Sequence, residues 1–180
     1  MRAMRRVPFL VLTPLALATA AAAVAQSREP VSALRGHNSD APIDLKADRL
    51  EVQDRADRAI FAGNVHVTQD ELTLNTARLT VAYSSGGGVQ INRLDASGGV
   101  TVRSPSETAK GEFGIYDLDR KLITLVGDVV LSREGSQLSG QRLVIDLESG
   151  RAVIDGGPAG VGQSGGRVTG HFTVPQRKGS

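Results

Sequence analysis

A self-similar unit of about thirty residues runs through this chain, and it constrains the fold more than any other feature, because each copy must do in space what its neighbours do. One unit reads Arg49-Leu50-Glu51-Val52, Arg78-Leu79-Thr80-Val81, Glu112-Phe113-Gly114-Ile115 and Arg142-Leu143-Val144-Ile145, spaced 29, 34 and 30 residues apart. Five positions before the first apolar residue of each stand Leu45, Leu74, Thr108 and Leu138. A second unit reads Gly63-Asn64-Val65-His66-Val67, Gly98-Gly99-Val100-Thr101-Val102 and Gly127-Asp128-Val129-Val130-Leu131, with Gly156 opening a truncated fourth copy; the glycines lie 35, 29 and 29 apart.

Within the second unit, alternate positions are apolar or small: Ala59, Phe61, Gly63, Val65, Val67; then Leu94, Ala96, Gly98, Val100, Val102; then Ile123, Leu125, Gly127, Val129, Leu131. Period two is strand geometry, and a glycine at one fixed place marks a bend or bulge. The offset of five between Leu45 and Leu50, or Leu138 and Leu143, would put the two on opposite faces of a straight strand, so each such segment is predicted to bend between them. Turn formers separate the units, among them Asp54 to Asp57, Thr68 to Asp70, Ser104-Pro105-Ser106, Asp117 to Asp119, Arg133-Glu134-Gly135 and Glu148-Ser149-Gly150. No segment carries a 3.6-residue period. The prediction is an all-β fold of stacked antiparallel V-shaped strands, a β-jelly-roll, in which no repeat buries its apolar face without a neighbour.

The ends have other chemistry. Arg2, Arg5 and Arg6 precede an apolar run from Val7 to Val24 and the small triplet Ala23-Val24-Ala25, the layout of a secretory signal with cleavage after Ala25. A retained membrane anchor competes, since about 20 apolar residues cross a bilayer, but Pro8, Pro14 and the weakly apolar alanines argue against it. The expected organisation is a signal peptide at 1–25, a flexible segment at 26–42, the β domain at 43–156, and a Gly-rich linker with a basic tail at 157–180. Residues 167–174 within that tail are open to reading as one more edge strand.

Removing the leader takes away three arginines and no acid, so 21 basic against 19 acidic residues becomes 18 against 19, a net charge of −1. Such a body lacks the basic field a nucleic-acid partner requires. There is no cysteine, so an exported chain must hold together by burial and strand pairing, without disulfides.

The parts of common active sites are missing. The histidines are His37, His66 and His171, and no His-Glu-x-x-His run is present. His66 alternates with Val65 and Val67 and reads as a solvent-facing strand residue. Asp117 and Asp119 could pose as a glycosidase carboxylate pair, but they sit in a hairpin connection that turn chemistry explains. Ser84 to Gly88 reads as a long loop and not a phosphate cradle. No cofactor, metal or catalytic residue is expected.

The runs Ala47-Asp48-Arg49-Leu50-Glu51-Val52, Ala62-Gly63-Asn64-Val65-His66-Val67 and Thr76-Ala77-Arg78-Leu79-Thr80-Val81, echoed at Gly127-Asp128-Val129 and Gly140-Gln141-Arg142-Leu143, resemble the OstA-type domain of periplasmic lipopolysaccharide-transport proteins, the LptA/OstA-like family. The likeness spans about Ile43 to Gly156. It implies a jelly-roll whose apolar interior groove holds the acyl chains of lipopolysaccharide, in a periplasmic bridge serving outer-membrane assembly. It also implies head-to-tail homo-oligomers, and inner- and outer-membrane transport components joined by edge-strand addition. On this reading the groove is lined by the alternating apolar residues Leu50, Val52, Phe61, Val65, Val67, Leu79, Val81, Val100, Val102, Phe113, Ile115, Leu125, Val129, Leu143 and Ile145; the same residues would line any β core. The joining edges are expected near Ile43 to Val52 and Gln141 to Ile154. The rival readings are a membrane-anchored partner of the same pathway, a structural β-solenoid scaffold that binds no lipid, and, third, a β-helix polysaccharide-degrading enzyme.

Overall fold

The structure, a computed structural model, describes residues 37–157 and 166–173. The expected signal peptide lies outside the described residues, as do 26–36, 158–165 and 174–180.

Among the described residues one antiparallel sheet contains every strand. Its body is a run of hairpins: β3 (Arg58–Gln69), β4 (Leu72–Ser84), β5 (Gln90–Arg103), β6 (Glu107–Asp117), β7 (Leu122–Arg133) and β8 (Ser136–Asp146). Two short strands share each outer edge. β1 (Ile43–Lys46) and β2 (Arg49–Gln53) divide the free edge of β3, while β9 (Arg151–Asp155) and β10 (Thr169–His171) divide that of β8. Among the described residues the one helical segment is a 3-10 turn at Asp54–Ala56. The hairpin turns place residues at positive φ: Asp70 at 52° and Gly135 at 78°, types that take this conformation readily, and also Lys121 at 55° and Glu134 at 45°.

The sheet folds in two along one line. On β3, β5 and β7 two consecutive residues take the left-handed conformation: Gly63 (80°) with Asn64 (46°), Gly98 (84°) with Gly99 (83°), and Gly127 (84°) with Asp128 (41°). Glycine adopts this region freely and Asn and Asp tolerate it. On β4 and β8 the single residues Ala77 and Gln141 face these pairs, so the register shifts by one at each crossing. These bulges face the interval between Leu74 and Leu79 on β4 and between Leu138 and Leu143 on β8, and across that interval both leucines of each pair lie on the inner face. Side chains clamp the fold line: Asn64 Nδ2 donates to Asp48 Oδ2 at 2.9 Å, and the Thr76 hydroxyl donates to the Ser97 carbonyl at 2.8 Å.

Each half carries apolar rows straight across the strands on its inner face. On one half a row runs Leu50, Phe61, Leu79, Ala96, Gly114, Leu125, Leu143, Ile154, and beside it Val52, Ala59, Val81, Leu94, Tyr116, Ile123, Ile145, Ala152. The facing half carries Leu45, Val67, Leu74, Val102, Ala109, Leu131, Leu138. The two faces meet in one apolar core.

Two sequence expectations fail in β6. Phe113 and Ile115 were expected to face inward, but the register pairs them with outer-face residues, Ser97 and Val126 for Phe113 and Asp95 and Thr124 for Ile115, and Phe113 is 52% exposed. Gly114 and Tyr116 point inward instead. In the same strand Ala109, not Thr108, holds the position equivalent to Leu74. Because side chains alternate with period two, a one-residue misalignment of a repeat inverts every face in it. With Gly114 in the place of Leu79 and Leu143, the spacing becomes 35 and 29, which is the spacing of the bulge glycines.

The expectation for the C-terminal edge also needs correction. Arg142 to Asp146 lies inside the sheet, covered by β9, so of the expected stretch only Arg151 to Ile154 is edge, and β10 shares that edge.

Candidate functional site

Thirteen of the fifteen candidate residues lie on the inner rows or immediately beside the fold line: Leu50, Val52, Phe61, Val65, Val67, Leu79, Val81, Val100, Val102, Leu125, Val129, Leu143 and Ile145. They divide by position along the stack. In the middle, Leu79, Leu125, Val129 and Leu143 have no exposed surface. The two halves touch there: a Cβ at Gly114 would come within 3.1 Å of Val100 Cγ1 on the facing half. The interior space in this region is about 10 Å³, room for about one water molecule.

At the β1–β2 end the same rows are uncovered. Leu50 is 54% exposed and Val52 55%, although both continue rows that are fully buried two strands away. A groove of about 590 Å³ opens here, floored by Leu45, Val52, Ala59, Phe61, Val81 and Ile91 and bordered by Val89, Tyr83, Ser85, Asp54 and Asp57. The sequence reading missed Leu45, Tyr83, Val89 and Ile91 as lining residues. Leu45 has its place in the repeat, five positions before Leu50, but reads there as part of a joining edge; Ile91 lies outside the repeat units, and Val89 is an isolated apolar residue at the end of the Ser/Gly loop.

The groove rim is held by backbone as well as side chains. Tyr83 N donates to the Asp57 carbonyl at 3.1 Å, tying the β2–β3 connection to the end of β4. Burial first, then the Asp54 and Asp57 carboxylates, pushes the Tyr83 phenol above its ordinary pKa. It remains a neutral hydroxyl, so the rim carries carboxylates over an apolar floor.

His66 occupies the outer face, half-buried, with Nδ1 2.8 Å from Asn75 Oδ1. Asp117 Oδ1 accepts from Arg120 N at 2.9 Å inside its turn. Asp146 does the same kind of work after β8, where hydrogen bonds from Ser149, side chain and backbone, and from Glu148 N hold its carboxyl below the usual range.

A folded antiparallel sheet with an apolar interior, uncovered at one end, is therefore the site to be identified. Residues 44–151 match the family model described as LptA/(LptD N-terminal domain) LPS transport protein. The chain belongs to this family of lipopolysaccharide transport proteins. An uncharacterised protein of Rhizobium meliloti (strain 1021) is 36% identical over 125 residues, which are 66% of this chain and 67% of that protein. Among solved structures, LptH, the LptA homologous periplasmic component of the conserved lipopolysaccharide transport device from Pseudomonas aeruginosa, superposes with a TM-score of 0.64 at 20% identity, covering 76% of this chain and 98% of that one. The folded antiparallel sheet is an LptA-type fold.

Proposed function

We propose that this chain carries lipopolysaccharide through the periplasm by holding its acyl chains between the two halves of the folded sheet. The observation that carries the reading is the run of inner rows, buried in the middle and bare at the β1–β2 end, where the groove has the size of a small-molecule site, about 300–1,000 Å³. The physics gives the reason for such a protein. Each methylene gains about 0.8 kcal/mol on leaving water, so one chain of ~12 carbons carries a penalty of roughly 10 kcal/mol if it crosses water unshielded.

Export to the periplasm rests on the leader. The mature N-terminus, read by Edman sequencing or intact mass, is expected at Gln26; a full-length N-terminus in the membrane fraction would favour the anchored partner. The partners follow from the edges. β1 and β2 at one end and β9 and β10 at the other leave unpaired backbone, and strand addition between copies, or to inner- and outer-membrane transport components, extends head to tail without closing.

The packed middle favours a second reading, a scaffold with a filled core and no lipid. Photocrosslinking separates the two. With a photoreactive residue at Phe61 or Val81, crosslinks to lipopolysaccharide are expected in cells, and none with the same residue at Phe113 on the outer face. A folded protein that crosslinks at neither groove position is a scaffold.

A further inference from the structure

The two halves of the sheet face each other across a seam that lies opposite the fold line. On one lip is the β3–β4 turn, following Gln69; on the other is the β6–β7 turn, following Tyr116 and Asp117. The Tyr116 hydroxyl donates across the seam to Gln69 Oε1 at 3.0 Å, and both side chains are buried. Burial pushes the Tyr116 phenol up, so it stays protonated as the donor.

Residues 37–41, expected to be part of a flexible segment, lie along this seam. Gln69 Nε2 donates to the Ser39 carbonyl at 2.8 Å and the Ala41 carbonyl at 3.0 Å, and His37 Nε2 lies 3.2 Å from Gln69 Oε1. Asn38 N donates to Asp70 Oδ2 at 3.1 Å on the first lip, while Asp40 Oδ2 lies 3.7 Å from Lys121 Nζ on the second. The segment therefore bridges both lips, with Gln69 as its anchor. Directly beneath is the small interior space bounded by Ile43, Val67, Leu72, Leu94 and Ile123.

The geometry points to residues 37–41 as a strap that closes the seam sideways and, when released, admits an acyl chain laterally between the two halves. The lipid in this statement rests on the carrier reading; the opening does not. A lipid with a charged head cannot be drawn whole through an apolar tube, because the head would lose its water. A seam lets the chains pass inward while the head stays outside. The strap is built for release: its ion pair to the second lip is exposed, the kind that contributes little, and most of its hydrogen bonds to the first lip are made by one glutamine, with Asp70 adding one more. Such a segment opens locally without global unfolding.

The test uses the absence of native cysteine. Ile123→Cys, paired with Tyr116 in the register, puts one buried thiol beneath the strap. In that background Gln69→Leu keeps an apolar-compatible side chain in the row but removes the anchor. Each hydrogen bond lost shifts a local opening by roughly fivefold, so maleimide labelling is expected to accelerate by more than tenfold in Gln69→Leu and by about fivefold in Tyr116→Phe. Leu143→Ala, which loosens the core away from the seam, controls for global unfolding. Labelling that is unchanged in Gln69→Leu, or that rises only as far as global stability falls, as in Leu143→Ala, overturns the strap. Separately, Asp40→Cys with Lys121→Cys, joined by a short cleavable bismaleimide, is expected to slow uptake of a fluorescent fatty-acid probe at least tenfold, with recovery on cleavage. Equal uptake by locked and cleaved protein overturns lateral passage. Accelerated labelling with no probe bound by any variant leaves the strap standing and sinks the carrier reading.

Discussion

Gly98→Val is expected to destabilise the fold by roughly 2–6 kcal/mol, the sum of about 1–3 for a β-branched residue held at positive φ and about 1–3 for overpacking. Gly98 sits at φ 84° in the central bulge, and a Cβ there would lie 2.9 Å from the Ala77 Cβ on the neighbouring strand. The bulge cannot relax without unfolding the sheet outward, because β4 and β6 hold β5 from both sides. Urea denaturation measures the loss. Gly86→Ala is the control: it lies in the β4–β5 loop with nothing within 4 Å of the added methyl, and a change within about 0.5 kcal/mol is expected. Equal stability of the two variants would mean that the left-handed pairs are not what folds the sheet.

The second large effect contrasts two leucines at the same place in the repeat. Leu79→Ala is expected to cost about 2–5 kcal/mol, because the side chain is 0% exposed and its removal leaves a cavity between the halves. Leu50→Ala, one repeat earlier and in the same row, is expected to cost less than about 1 kcal/mol, since at 54% exposure much of its surface already lies in water. Thermal melts of the two variants decide it. A large loss at Leu50 would mean that the β2 end is covered in solution, by another copy or by lipid carried through purification, and would call for the mass of the purified species.

The carrier reading gives that contrast a functional meaning. A residue that contributes little to stability yet continues the inner rows is available to a ligand or to the next protomer. The packed middle, with about 10 Å³ of interior space, requires that the halves separate for lipid to travel farther, and the fold line of paired left-handed residues is where such a hinge motion would turn.

Much of this was legible along the chain. Alternating Val65 and Val67, Val100 and Val102, and Val129 and Leu131 marked strands, the glycine before each marked a bend, and the offset of five between Leu74 and Leu79 required one. The face of β6 was harder. Glu112-Phe113-Gly114-Ile115 offers two apolar residues in the right pattern, one position out of register, and local pattern matching selects them. The spacing of the bulge glycines held the correct answer, since 35 and 29 residues carry Leu79 to Gly114 to Leu143.

Residues 37–41 carried no such signal. They lack apolar periodicity, and the groups that hold them, Gln69, Asp70, Tyr116 and Lys121, are about thirty or more residues away in sequence. The order of the strap is a property of the closed seam. The tail is similar: the composition of Arg167 to Val174 left strand and free chain equally open, and pairing of Thr169–His171 with Gln137 to Ser139 decides for a strand.

The sequence by itself determined the class of fold, the number and length of its repeats, the places where strands bend and the family, because these follow from period-two alternation and from backbone conformations that only certain residues adopt. Tertiary structure alone decided which apolar residues are core and which are groove. Leu50 and Leu79 each follow an arginine, stand two residues before a valine and share one row; they differ in whether further strands and the facing half lie over them, and burial depends on what the rest of the chain brings near.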